Sequence, residues 1–446
     1  MKKFIVIVAA IFLVVFRVNA QDAKLPVFVT DSLDSYIKRG MRDWQIPGLA
    51  IAIVKDGKVV YMKGFGIKEI GKNEPVNEET LFMIGSNTKA FTATALAMLD
   101  QQKAFSFDDK VSRWIPDFKL NDPLASNEIT VRDLLSHRVG FETFQGDFTY
   151  WTSSLTRQQV IQKMGLIKAP YGFRTKWGYC NAAFVTAGEV VSKVAQQSWE
   201  DFVREKILTP LNMKQTLMLS KDIASSKNAA VSHTIYKGKL IKLPYPMIDN
   251  LAPAGSMSSN VKDMSNWLIA QLDLGKFDGR EVIPADAIKK TREPQSYMGA
   301  DQRPNAETNF YLYGLGLELR DRKGKLIVSH TGGVDGFVSS LVMIPSEKVG
   351  VIVLTNNDQN IFFQLLTNEI RDAFVGLPYR GYQKGLANFR KAQAKEKHWL
   401  DSLQGVVAKK NKWVVEAKNF VGTYTNEVYG LIEVKQDGGG LAIHFS

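Results

Sequence analysis

The chain of 446 residues has a single cysteine, Cys180. It can form no internal disulfide and build no metal site from several thiolates, so the fold must be held by core burial alone. Histidine is scarce too: His137, His233, His330, His398 and His444 are widely dispersed, and none belongs to a His-Glu-x-x-His pattern. That argues against a metal-dependent hydrolase, and neither a metal nor a cofactor is expected. No serine sits in Gly-x-Ser-x-Gly, which removes the nucleophile elbow of the α/β-hydrolases. The net charge is +12, but the lysines are scattered, with no long basic run and no nucleic-acid recognition motif. A nucleic-acid partner is therefore not expected, and the milder implication is attraction to an anionic surface such as a cell envelope.

The one extended apolar run lies at the N-terminus. Lys2-Lys3 precede Phe4 to Phe16, and Val18-Asn19-Ala20 precede the polar Gln21-Asp22. A charged start, a short apolar centre and a small residue before the cut describe a secretory signal peptide over 1–20, cleaved after Ala20. The run is too short to span a bilayer comfortably, so no stable membrane span is expected after cleavage. Arg17, close to the cut, leaves an uncleaved anchor as the second reading. No cysteine follows the run, so no lipoprotein anchor is indicated. The mature chain is expected to be secreted or periplasmic. Its composition, 45% hydrophobic and 23% charged, is that of an ordinary globular protein.

From Asp31 to Trp44 the apolar positions follow a helical spacing that Pro47-Gly48 ends. A hairpin follows: Leu49 to Val54, the turn Lys55-Asp56-Gly57-Lys58, and Val59 to Met62. Between Pro75 and Leu319 strand signals thin out. The clearest helices there are Ala90 to Gln102, Ile129 to His137 with Thr130 as N-cap, and Ala182 to Ala195. Strand patterns return at Leu326–Ser329, Phe337–Ile344 and Val349–Leu354, and a helix spans Ile361 to Val375. The predicted fold class is α/β: an antiparallel sheet flanked by helices with a mainly helical inserted domain, over 21–377. Residues 378–412, rich in Lys, Ala and Gln, read as a linker or exposed helix. Phe420–Tyr424, Gly430–Val434 and Leu441–Phe445 read as strands. Residues 413–446 are thus expected to be the start of a small C-terminal β-domain, incomplete because so few strands hardly bury a core.

Ser86-Asn87-Thr88-Lys89 heads the helix from Ala90, which is lined with small residues. Positions i and i+3 share a helix face, so the Lys89 amine would lie over the Ser86 hydroxyl. The free N–H groups of the first turn favour an alkoxide and disfavour an ammonium. That describes a nucleophile with an adjacent base. The pattern alone is weak, because Ser35 with Lys38 and Ser259 with Lys262 also match it, and a simple N-cap is the commoner use of such a serine. Tyr179-Cys180-Asn181, ahead of a helix, and His330-Thr331-Gly332-Gly333, at a strand end, are each weak as well. Together, in this order and widely spaced, the motifs form a much rarer event.

At these residues the chain resembles the serine β-lactamases of class C and their relatives, the D,D-peptidases, D-aminopeptidases and esterases of the penicillin-recognising (β-lactamase/transpeptidase-like) fold. The resemblance covers Asp31 to Val375. Leu134–His137, Pro253–Met257 with Asp263, and Tyr313–Gly316 are similar to recurring family segments. The resemblance implies that Ser86 forms an acyl-enzyme from an ester or amide, and that Lys89 and Tyr179 share the proton it loses. Tyr179 would pass that proton to the leaving group and later activate water. Asn181 would position Lys89 and the substrate amide. The backbone N–H groups of Ser86 and Gly333 would form the oxyanion hole, on a substrate-binding strand that carries His330, Thr331 and Gly332. Which of Lys89 and Tyr179 holds the proton stays open.

The departure is His330, where dedicated β-lactamases carry lysine. A histidine largely neutral at pH 7 grips a carboxylate less firmly, so a peptidase- or esterase-like activity is expected over a specialised β-lactamase. The expected partner is a small-molecule or short-peptide substrate, with peptidoglycan fragments one such class. The alternative is a non-catalytic envelope- or peptidoglycan-binding protein on the same fold, against which stands the presence of Ser86, Lys89, Tyr179 and Thr331-Gly332.

Overall fold

Asp56-Gly57 turns the chain between β1 (Gly48–Lys55) and β2 (Lys58–Gly66), as the hairpin signal predicts. The other strands of the same sheet come from far down the chain. They are β3 (Ser296–Ala300), β4 (Phe310–Tyr313), β5 (Glu318–Arg322), β6 (Lys325–Val334), β7 (Phe337–Ile344) and β8 (Val349–Thr355). In this computed structural model, which describes residues 25–303, 306–409, 415–438 and 440–445, they form one antiparallel sheet in the order β2-β1-β8-β7-β6-β5-β4-β3. The two ends of the unit thus meet where β1 pairs with β8, Leu49 opposite Thr355 and Lys55 opposite Val349.

Both faces of this sheet are covered, which is why β1 reads as a continuous apolar run. Side chains alternate across a strand. Leu49, Ile51 and Ile53 pack with Leu33 and Ile37 of α1 (Leu33–Asp43) and Phe362 and Leu366 of α5 (Phe362–Phe374). Ala50, Ala52 and Val54 face the other way, into the core that holds α2 (Thr88–Gln101), α3 (Asn181–Ala195) and α4 (Val261–Leu272). The alternation of large and small residues lets α4 approach closely: a Cβ on Gly350 of β8 would lie 3.0 Å from Leu268.

Strands β3 to β5 depart from the sequence reading, which saw little strand signal before Leu319. They are short, half-buried at the sheet's far side, and β5 carries Glu318, Arg320 and Arg322, so no apolar alternation marks them. The helix expected over Ile129–His137 is shorter, Val131–Leu135, although Thr130 does cap it through a capping box with Asp133. After the sheet come an exposed helix, α6 (Gln383–Ala408), and a small sheet of β9 (Gly422–Asn426), β10 (Gly430–Asp437) and β11 (Gly440–Phe445), in that order. This sheet touches the helical layer where Lys163 Nζ donates to the carbonyls of Glu427 (3.1 Å) and Val428 (2.8 Å). The proposed signal peptide, 1–20, lies outside the described residues, and no described helix is long and apolar enough to cross a membrane.

Candidate active site

Ser86 lies in a single 3-10 turn, Gly85–Asn87, that leads into α2. It caps nothing: α2 has no side-chain N-cap hydrogen bond, and the cap position belongs to Asn87. The Ser86 hydroxyl is instead 3.1 Å from Lys89 Nζ. Neither look-alike motif does this. Ser35 Oγ donates to the Ser32 carbonyl, Ser259 Oγ bonds Thr216, and Lys262 pairs with Glu79.

Lys89 is fully buried and has two further partners, Asn181 Oδ1 at 2.6 Å and the Ala254 carbonyl at 2.7 Å. Both are acceptors only. As an ammonium, Nζ donates to all three oxygens; deprotonated, it keeps two N–H groups for the two carbonyls and has a lone pair for the one partner that can donate, the Ser86 O–H. Burial supports that state by lowering the Lys89 pKa to about 7, against a smaller opposing pull from the Asp147 carboxylate. The rings of Tyr179 and Phe184 lie 4.7 and 5.3 Å from Nζ.

Tyr179 precedes α3 and is held by a cluster of rings. His137 packs against it at 4.3 Å between centroids and Phe144 at 5.3 Å. The buried His137 is kept neutral, and its Nδ1 accepts from the Cys180 N–H. The Tyr179 hydroxyl is buried without a hydrogen bond of ordinary geometry, although the Ser86 hydroxyl is near enough to favour its ionised form. Burial dominates and pushes the phenol well above its usual range, so the resting residue is a neutral phenol. Cys180, also buried, has its thiol pushed up to about 12.

Asn181 faces both ways. Its carbonyl accepts from Lys89, and its Nδ2 donates to Asp147 Oδ2 at 2.5 Å. Asp147, which the sequence did not single out, fixes the orientation of that amide, and burial raises its own carboxyl to about 6. The Ala254 carbonyl and His137 belonged to segments noted for their resemblance, but their contacts with Lys89 and Tyr179 arise only from the tertiary fold.

The strand β6 closes the other side. A Cβ on Gly332 would lie 1.8 Å from the Ile84 carbonyl oxygen, and one on Gly85, at φ +53°, 2.7 Å from the Gly333 nitrogen. Only glycine allows this approach, which sets the Gly332-Gly333 backbone against the Ser86 turn. His330 is buried on β6. Its Nδ1 lies 2.6 Å from the Thr331 carbonyl and its Nε2 3.0 Å from Tyr313 Oη. The carbonyl requires a proton on Nδ1, so Nε2 accepts from the tyrosine and neither nitrogen is left to grip a carboxylate. Burial lowers the His330 pKa to about 3, so no cation stands here.

Ser86, Tyr179, Asn181, His330, Thr331, Gly332 and Gly333 all line one cleft of about 580 Å³, with Lys89 directly behind Ser86. No cluster of potential metal ligands occurs among the described residues.

Among known proteins, the chain is 30% identical over 337 residues to the unguisins hydrolase ungD' of Aspergillus campestris, an alignment covering 72% of this chain and 60% of that protein. It is 27% identical over 333 residues to protein flp of Staphylococcus aureus strain MW2, covering 73% and 62%. The chain thus spans roughly three fifths of the length of these curated relatives. In fold it is similar to the octameric penicillin-binding protein homologue from Pyrococcus abyssi (TM-score 0.68, 24% identity, covering 93% of this chain and 87% of that one). It is also similar to a D-amino acid amidase from Ochrobactrum anthropi SV3 (0.61, 21%, 77% and 95%) and to a class C β-lactamase (0.63, 18%, 78% and 96%). The model of the β-lactamase family matches residues 33–373, and by that match the chain belongs to the β-lactamase family.

Proposed function

We propose that the chain is an exported serine hydrolase that cleaves an ester or amide through a Ser86 acyl-enzyme, with Lys89 as the base. The observation that carries this is the set of neighbours around Lys89 Nζ: two acceptor-only oxygens, of Asn181 and Ala254, and the Ser86 hydroxyl, the one partner able to donate to the deprotonated amine. Ser86 Oγ attacks the substrate carbonyl carbon while its proton moves to Nζ. The resulting ammonium has three donors for three acceptors, so the transfer leaves no group unpaired. The Ser86 and Gly333 N–H groups receive the oxyanion. As the tetrahedral intermediate collapses, the bond from the carbonyl carbon to the leaving nitrogen or oxygen breaks. The Tyr179 phenol hands its proton to that atom and takes one from Lys89. Water then attacks the acyl-enzyme by the reverse path, releasing the acid and restoring the Ser86 hydroxyl.

A curated relative named as a hydrolase and a fold neighbour named as an amidase support the reaction class. The neutral His330 favours ester or peptide-type substrates over the anionic β-lactams. The segment over 1–20 supports action outside the cytoplasm. The test is a pH profile of kcat/KM on a p-nitrophenyl ester, with nitrocefin alongside. The ester rate should rise along one ionisation near pH 7, nitrocefin should be turned over more slowly, and Ser86→Ala should fall to background. Full activity in Ser86→Ala overturns the proposal.

A further inference from the structure

The chain carries a net charge of +12, yet no lysine or arginine is among the described residues that line the cleft. The ionisable carboxyl groups there are Asp147 and Glu318. Glu318 is paired with Arg320 at 2.9 Å, which balances its charge. Asp147 has no salt bridge among the described residues. Its Oδ2 is taken by Asn181, but Oδ1 is buried with no hydrogen-bond partner. A buried carboxylate oxygen left unpaired is costly, and a bound cation donor is what satisfies it best.

The position of that oxygen matters. Asp147, Asn181, Lys89 and Ser86 form a continuous chain of hydrogen bonds, and Asp147 lines the same cleft as Ser86, so the carboxylate lies within reach of a substrate held on the nucleophile. Aromatic rings of Phe144, Trp151 and Trp177 line the same cleft, and ring faces also favour a cation. Trp151 Nε1 in turn donates to Asp335 at 3.1 Å, adding a second carboxylate at the exposed rim. At the opposite strand, His330 offers neither charge nor a free N–H to a carboxylate.

We propose that Asp147 is a specificity residue that receives a free ammonium group on the acyl part of the substrate, so that the site takes esters and amides of unblocked amino acids in preference to N-acylated or carboxylate-bearing ones. This rests on the hydrolase reading above, but its test does not depend on turnover. Ser86→Ala protein is titrated by NMR with alanine amide of each configuration, with its N-acetyl form and with its N-succinyl form. The ammonium form of at least one configuration should bind about 10- to 100-fold more tightly than its N-acetyl form, the range for one charge-assisted hydrogen bond, with the N-succinyl form weakest. Adding Asp147→Asn, which keeps the size and the acceptor for Asn181, should bring the ammonium-to-acetyl ratio close to one. Equal or tighter binding of the blocked forms, no detectable binding of the ammonium form, or a ratio that survives Asp147→Asn overturns the assignment. The matching kcat/KM ratios of alanyl p-nitroanilides in the unsubstituted enzyme should follow the same order. Failure of the hydrolase reading shows separately, as turnover that persists in Ser86→Ala.

Discussion

Replacing Lys89 with methionine converts its protonation state into a stability measurement. Buried Lys89 has its pKa lowered from 10.5 to about 7. In the unfolded chain a lysine titrates near 10.4, so between about pH 7 and 10 the unfolded state binds one proton more than the folded state at this site. Stability therefore rises with pH through that window, by up to about 1.4 kcal/mol per pH unit. Below pH 7 both states hold the proton, and the cost of burying the charge is felt in full. Integrated from pH 7 to 9, with the folded site half-protonated at the lower limit, the gain is about 2 kcal/mol. Methionine fills a similar volume and does not titrate. The hydrogen bonds it forfeits to Asn181 and Ala254 change stability by an amount that does not depend on pH in this range. Urea unfolding of both proteins at pH 7 and pH 9 isolates the effect. The unsubstituted protein should gain about 2 kcal/mol more than Lys89→Met. If the two move in parallel, Lys89 is an ammonium in the folded protein at both pH values, and it cannot be the resting base.

Two other substitutions separate chemistry from packing. Tyr179→Phe deletes a buried hydroxyl that has no ordinary hydrogen bond, so the midpoint of thermal unfolding should stay the same or rise, while kcat on an ester falls about 10²- to 10⁴-fold; a large loss of stability would mean that the hydroxyl is structural. Gly332→Ala places a methyl 1.8 Å from the Ile84 carbonyl, and β6 must move away from the Ser86 turn. Calorimetry should register a loss of about 1–3 kcal/mol or more, together with loss of acylation; an active and equally stable variant would refute the close approach.

Much of the sheet was legible because its strands carry strong local signals. The Asp56-Gly57 turn sets the hairpin, and burial on both faces makes β1 and β8 near-continuous apolar runs and leaves β7 apolar except at Ser339 and Ser340. Strands β3 to β5 escaped because they are short and lack a clean apolar alternation, β4 being all aromatic and aliphatic and β5 carrying Glu318, Arg320 and Arg322; their strand character comes from pairing in series, β3 on β4, β4 on β5 and β5 on β6. For the site, Ser86 and Lys89 were visible as a local spacing, and Tyr179, Asn181 and His330-Thr331-Gly332-Gly333 only as a set. Asp147, His137 and the Ala254 carbonyl were not, since a loop carboxylate, a lone histidine and a backbone oxygen acquire chemical meaning only when the fold sets them against Asn181, Tyr179 and Lys89. That both nitrogens of His330 are occupied is likewise a tertiary fact, supplied by Tyr313 and the Thr331 carbonyl.

The central claim is that Ser86 is the nucleophile and Lys89 its base. Its most direct test is covalent labelling with a fluorophosphonate at pH 8, followed by peptide mapping by mass spectrometry. The account predicts one adduct per chain, on Ser86, absent in Ser86→Ala and formed far more slowly in Lys89→Met. An adduct on another residue, or labelling of Lys89→Met at the unsubstituted rate, would contradict it.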